Sequence, residues 1–204
     1  LEQEFIRLLC EQGYEYLPIH SEAVLIANLR QKLEELNCYT FTDSEWERFF
    51  SECIANANDG IEDKTRRIQE DYVQVLRRDT GESKNITLID KKNIHSNRLQ
   101  VINQYVIGKE SGARYDNRYD VTVLVNGLPL VHVELKRRGV AIREAFNQID
   151  RYLRDSFWAG SGLYQYVQIF VVSNGTNTKY YSNTTRWNAI KEAASAARKK
   201  KTSN

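Results

Sequence analysis

Over residues 117–135 the apolar and polar positions follow a strand rhythm. Two runs rich in β-branched residues, 119–125 and 130–135, are joined through Asn126-Gly127. Asn-Gly is the strongest short-range signal for a tight hairpin, because both central residues of that turn need positive φ. Around the hairpin the pattern alternates between helical and extended. Residues 1–12 place Leu1, Phe5, Leu8 and Leu9 at helical spacing and stop at Gly13, and residues 21–37 line up Leu25, Leu29, Leu33 and Leu36. Thr42 with Glu45 forms a capping box for a third helix that turns Trp46, Phe49, Phe50 and Cys53 inward.

Extended segments are expected at 72–76, at 86–89 after a turn over 79–84, at 97–106, and at 179–181. Residues 164–172 are almost wholly apolar and predict a strand in the buried middle of a sheet. Gly139 separates the second hairpin strand from a helix over 141–154 that turns Phe146 and Ile149 to the core and puts Gln148 and Tyr152 on one face. Together these elements predict an α/β fold with a mixed central sheet flanked by helices.

Charged side chains interrupt the two apolar hairpin strands: Asp120 in the first, Glu134 and Lys136 in and just after the second. A buried carboxylate without a partner is costly, so such charges belong to a site or an edge. Glu134 and Lys136 share a strand face, with Leu135 on the other. A strict two-residue loop sets Asp120 opposite Val133, whereas a three-residue loop, or an equivalent bulge, sets it opposite Glu134. Pro129 lacks the amide donor of a regular ladder, which favours the second arrangement. Asp120 and Glu134 side by side raise one another's pKa unless a cation lies between them. A hard divalent ion such as Mg2+ suits that place, polarising a phosphoryl oxygen while the lysine holds a water and offsets developing charge. This is chemistry for cutting a phosphodiester.

Asp120, the gap to Glu134-Leu135-Lys136, and Gln148 with Tyr152 on the next helix resemble the PD-(D/E)xK nuclease signature with the QxxxY motif of its RecB-like members; Tyr119 stands where the motif usually has proline. With Leu88-Ile-Asp-Lys-Lys-Asn-Ile94 and Val172-Ser-Asn-Gly-Thr176, the string is similar to the N-terminal nuclease domain of the R (restriction and motor) subunit of type I restriction-modification enzymes. The resemblance covers residues 1–186 and implies a restriction-endonuclease-like fold. It implies catalytic roles for Asp120, Glu134, Lys136, Gln148 and Tyr152, and Mg2+ held by Asp120, Glu134, the Leu135 carbonyl and a first-helix glutamate, for which Glu2 and Glu4 are the matching positions. Glu2 is taken as the ligand, against the plainer reading of a solvated surface acid. The implied partners are double-stranded DNA and the methyltransferase and specificity subunits, with ATP used by a motor domain downstream.

Composition narrows the remaining classes. The 204 residues suit one sizeable domain, and Lys+Arg 29 against Asp+Glu 27 gives a net charge of +2, so DNA contact must come from local clusters. Arg66, Arg67, Arg77 and Arg78 are such groups, and Arg118, Arg137, Arg138, Lys91 and Lys92 are the expected DNA-binding set. Cys10, Cys38 and Cys53 are scattered without metal-site spacing, as expected in a reducing cytoplasm. No apolar run is long enough for a membrane span, and no GxxxxGK[ST] motif for a nucleotide-hydrolysing motor is present.

The chain lacks methionine even at position 1, which reads as a piece of a longer protein, and 187–204 change to an alanine-rich, basic helical tail. His132 shares the strand face of Glu134, which leaves two readings, a neighbour of the site or a hydrogen-bonded structural histidine, and the second is preferred. Two other readings of the site remain open: a catalytically silent DNA-docking module of the same fold, and a repair or branched-DNA nuclease.

Overall fold

A computed structural model describes residues 1–184; the expected tail at 187–204 lies outside them. In chain order the elements are helix α1 (Glu2–Glu11), strand β1 (Glu15–Tyr16), α2 (Glu22–Asn37) and α3 (Asp43–Phe49), which runs into a π-helical turn, Phe50–Ile54. Next come α4 (Ile61–Gln69), β2 (Val73–Arg77), β3 (Ser83–Thr87), β4 (Leu99–Ile107), β5 (Asn117–Val125), β6 (Leu128–Leu135), α5 (Ile142–Asp155), β7 (Ile169–Ser173) and β8 (Thr178–Ser182). Six strands form one mixed sheet in the order β1-β4-β5-β6-β7-β8, while β2 and β3 form a separate ribbon. The meander β4-β5-β6 is antiparallel, and α5 carries the chain over to β7, parallel to β6. The mixed sheet with flanking helices is the architecture the sequence predicts. No helix of the described residues is long and apolar enough to cross a membrane.

The main core packs Leu25, Leu29 and Leu33 of α2, Phe49 of α3 and Ile149 of α5 against Ile102, Leu124, Phe170 and Val172 of the sheet. A smaller core, Ile6 with Val101, Val121 and Val133, lies beneath α1. The capping box forms as expected, with Glu45 N donating to the Thr42 hydroxyl at 3.1 Å and Thr42 N to Glu45 Oε2 at 3.2 Å. Trp46 and Phe49 are buried, whereas Phe50 and Cys53 are only half-buried.

The hairpin closes on the two-residue turn and still reaches the register that brings the acids together. Val125 pairs with Leu128 across Asn126 (φ 51°) and Gly127 (φ 83°). The register then slips, with Leu124 opposite Pro129 and Val123 opposite Val131, so Leu130 is an extra residue in β6. From Val121 opposite Val133 the next step sets Asp120 against Glu134. Gly127 is required for a second reason: a Cβ there would lie 2.5 Å from Leu29 Cα on α2, so the turn is docked on backbone.

Three expectations are corrected. The second ribbon strand is Ser83–Thr87, starting earlier than 86–89, because Gly81 N closes onto Arg78 O and Arg78 N onto Glu82 O in a tight turn. The apolar run 164–172 is not one strand. Its first part is a 3-10 turn, Leu163–Tyr166, and only Ile169–Ser173 is extended. Tyr166 OH donates to Ile54 O at 2.9 Å, and the Tyr164 hydroxyl lies 3.2 Å from that of Thr122, so these tyrosines are anchored from a helical turn; an apolar run alone does not separate the two conformations. Phe146, expected in the core, is 39% exposed, and the buried face of α5 is Ala145, Ile149 and Tyr152.

Candidate active site

The ladder between β4 and β5 skips one pair, Gln104 and Asp120. Facing resets there. Val101 and Val121 belong to the α1 side, whereas Tyr105 and Tyr119, an even number of residues further on, belong to the main core. Gln104 takes up the irregularity with φ 53°, a left-handed conformation that L side chains rarely adopt. The kink leaves the Asp120 carboxylate free to turn along the sheet, where its Oδ2 accepts the Leu135 N–H at 2.8 Å.

Glu134 is completely buried. Its Oε1 accepts from Lys136 Nζ at 2.9 Å, and the same ammonium donates to Gln148 Oε1. Gln148 Nε2 in turn donates to the Tyr152 hydroxyl, which donates to Arg118 O at 2.9 Å. One connected network therefore joins β6, the first residue past it, α5 and the backbone of β5. Breaking a buried ion pair leaves an uncompensated charge, so Lys136 is needed for the folded site as well as for any chemistry.

The electrostatics are those of a site with surplus negative charge. Burial first, and then the neighbouring Glu134 charge, push the Asp120 carboxyl up to about 6, against the opposing pull of the Leu135 N–H and Lys136. Burial, followed by the Glu134 charge, pushes the Tyr152 hydroxyl up to about 12, so it remains a donor at neutral pH. Beside the network opens a cleft of about 540 Å3 lined by Lys136, Arg137, Glu144, Asn147, Gln148 and Arg151 among others.

The structure thus brings together Asp120, Glu134, Lys136, Gln148 and Tyr152. Leu135 presents its N–H to Asp120, and a strand residue carries its carbonyl on the same edge as its N–H. Arg137 lines the cleft, Arg138 is exposed with its stem beside Gly175, and exposed Arg118 lends its carbonyl to Tyr152.

Other expected site residues fall elsewhere. Lys91 sits over the Tyr72 ring at 4.9 Å and donates to Gln69 O. Its loop, with Lys92, leads into Leu99, which pairs with Val125 at the hairpin-turn end of the sheet. Val125 is about 17 Å along the strand from Asp120 at roughly 3.4 Å per residue. Lys91 and Lys92 are therefore at the opposite end from the acids.

Glu2 approaches Asp120 with its carboxylate already bonded to two amide side chains. Its carboxylate is held by Asn103 Nδ2 at 2.6 Å and by Gln104 Nε2 at 2.8 and 2.7 Å. Among the described residues, no three His, Cys, Asp or Glu side chains are grouped to hold a metal ion. Glu2 contributes a charge that helps raise Asp120, but it does not complete a three-carboxylate set with Asp120 and Glu134.

His132 is buried beside Glu134 and not hydrogen-bonded, contrary to expectation. Sequence reasoning missed Asn103, Gln104 and Arg151. The first two carried a signal, since adjacent amides in the apolar strand Leu-Gln-Val-Ile-Asn-Gln-Tyr-Val-Ile interrupt it as Asp120 interrupts the next. Arg151 is one turn beyond Asn147 on the cleft face of α5 and had only helical spacing to mark it.

Residues 1–189 match the family model described as Type I restriction enzyme R protein N terminus. Among similar proteins, the type I restriction enzyme EcoprrI endonuclease subunit of Escherichia coli is 50% identical over 187 residues, covering 91% of this chain and 58% of that protein. The SsaAORF53P endonuclease subunit of Staphylococcus saprophyticus is 38% identical over 188 residues, covering 90% of this chain and 19% of its own. The SauMSSORF170P endonuclease subunit of Staphylococcus aureus is 39% identical over the same length, again covering 90% and 19%. The chain therefore spans between about a fifth and three-fifths of these three relatives. It belongs to the family of type I restriction enzyme R protein N-terminal domains.

Proposed function

We propose that this chain is the DNA-cleaving domain of a type I restriction enzyme R subunit and hydrolyses phosphodiester bonds with Mg2+ held at Asp120 and Glu134. The observation that carries the reading is the convergence of two carboxylates and one ammonium, tied to Gln148 and Tyr152, at the mouth of a cleft carrying Arg137 and Arg151. The donor set fits a hard divalent cation. Burial first, and then the neighbouring Glu134 charge, hold the Asp120 carboxyl up, so two acids share one pocket with Lys136 as their positive neighbour. Asp120, Glu134 and the Leu135 carbonyl would hold the ion, which when bound lowers the pKa of water and polarises a phosphoryl oxygen.

The chain's own groups do the rest. Lys136 Nζ, directed by Glu134 and Gln148, holds the attacking water and offsets charge gathering on the phosphate. Tyr152 keeps Gln148 in place and so fixes the ammonium. Arg137 and Arg151 grip backbone phosphates along the cleft, a contact that positions DNA without reading its sequence. In the complete protein a downstream motor domain would use ATP to translocate DNA, and methyltransferase and specificity subunits would confine cutting to unmodified DNA in the cytoplasm.

The test uses the full-length subunit assembled with those partners, unmodified circular duplex, ATP and Mg2+. Glu134→Ala and Lys136→Ala are expected to abolish cleavage while DNA binding and ATP turnover persist. Cleavage at an undiminished rate in either variant would exclude the reading.

A further inference from the structure

His132 and Glu134 lie two apart on β6, on the same face and fully buried. Neither ring nitrogen of His132 has a hydrogen-bond partner, and neither does Glu134 Oε2. His132 Nε2 lies 3.7 Å from that oxygen. Four rings pack around the imidazole, Tyr119 at 5.4 Å, Phe157 at 5.6 Å, Tyr152 at 5.8 Å and Phe170 at 6.5 Å between centroids, and Thr122, its cross-strand partner, has its hydroxyl 3.2 Å from that of Tyr164. A phenylalanine would fill such a box without the cost of burying two unpaired nitrogens. The polar atom must therefore have a use, and the orphan oxygen beside it supplies one.

We propose that His132 is a positioning residue that anchors Glu134 through Nε2–H···Oε2, leaving Oε1 as the oxygen that works with Lys136 and the cation. The gap exceeds a normal N–H···O bond by less than 1 Å, within reach of a small carboxylate rotation. The two carboxylate oxygens are then held from opposite sides, Oε2 from the core and Oε1 from the cleft. A carboxylate that pivots on one fixed oxygen presents the other in a narrow range of directions. Outer partners that orient a ligand in this way affect metal affinity roughly 10–100-fold. The inference rests on the reading of Asp120 and Glu134 as a cation site.

The experiment titrates the purified protein with Mn2+ and counts free ion by electron paramagnetic resonance. His132→Phe is expected to bind roughly 10–100-fold more weakly than the parent, and His132→Gln, whose amide can donate from a similar place, to recover most of the loss. The thermal midpoint of His132→Phe is expected to stay level or rise, because two unpaired polar atoms leave the core. Parental affinity in His132→Phe, with Asp120→Ala binding weakly, overturns the anchor alone. Parental affinity in Asp120→Ala overturns the cation site beneath it. Independently of any variant, 15N spectra of the parent imidazole are expected to show the proton on Nε2, and a proton on Nδ1 alone overturns the proposal.

Discussion

The Leu135 amide donates to the Asp120 carboxylate at 2.8 Å, so a side chain of β5 takes a place where a strand backbone would normally pair. That bond points Asp120 along the sheet toward Glu134 and puts its charge where water is scarce. The folded carboxyl sits at about 6 against an ordinary value of 3.8. Because the pKa is raised on folding, the stabilisation from Asp120 is complete below the unfolded value and is lost as pH rises through about 6. After allowance for water reaching a half-buried carboxylate, the loss amounts to about 1–2 kcal/mol. Melting of the metal-free protein from pH 4.5 to 7.5 is expected to show this fall. Asp120→Asn, which keeps an acceptor for Leu135 N–H, should remove it; a fall of equal size in that variant would place the titrating group elsewhere.

Divalent cation acts on the same balance. Mg2+ or Mn2+ at pH 7 is expected to raise the thermal midpoint, by the usual dependence on ligand concentration over dissociation constant. The rise should vanish in Glu134→Ala and on chelation. An equal rise in Glu134→Ala would mean that the ion stabilises the chain from another place.

Tyr152 links Gln148 to the backbone of Arg118 and is 1% exposed. Tyr152→Phe leaves the Arg118 carbonyl without its donor and is expected to cost about 1–3 kcal/mol, read from denaturant midpoints. Cleavage by the assembled enzyme should fall by about 100-fold as Gln148 and Lys136 lose their alignment. Full activity would show that Gln148 is held well enough by Lys136 alone.

Gln104 joins an uncommon backbone conformation to a side chain that holds Glu2. Gln104→Gly relieves a conformation that costs a non-glycine residue about 1 kcal/mol but gives up its hydrogen bonds to the Glu2 carboxylate, so the two effects offset and stability is expected to change little. Cleavage by the assembled enzyme is expected to fall, because Glu2 loses two of its hydrogen bonds beside Asp120. A drop in both together would make Gln104 a packing residue.

The two basic clusters separate cleanly. Arg137→Ala and Arg151→Ala are each expected to weaken binding of the assembled enzyme to DNA and to reduce its salt slope by about 1, the signature of one lost phosphate contact. Lys91→Ala with Lys92→Ala, at the other end of the sheet, should leave affinity and slope unchanged. The reverse result would move the DNA path to the hairpin-turn end.

The hairpin shows how far the residues could be read alone. Asn126-Gly127 announced the turn, and charge within apolar strands announced Asp120 and Glu134, because both signals depend on neighbours a few positions away. The bulge at Leu130 was legible only as one of several devices that repair the register, since Pro129 says that the ladder is disturbed without saying where. Residues 164–172 misled because apolar content is shared by a strand and a buried 3-10 turn, and Thr122 and Ile54, which hold the two tyrosines, are distant in sequence.

What the sequence by itself determined is the chemical inventory and its local order: acid, hairpin, acid, lysine, then glutamine and tyrosine one helical turn apart. The tertiary structure decided which charges share a dielectric. It excluded Lys91 and Lys92 from the acids, tied Glu2 to Asn103 and Gln104, and enclosed His132 with Glu134. The physical reason is that strand order and burial set distances between residues far apart in the chain, and the strength of a charge depends on those distances and on the water left around it.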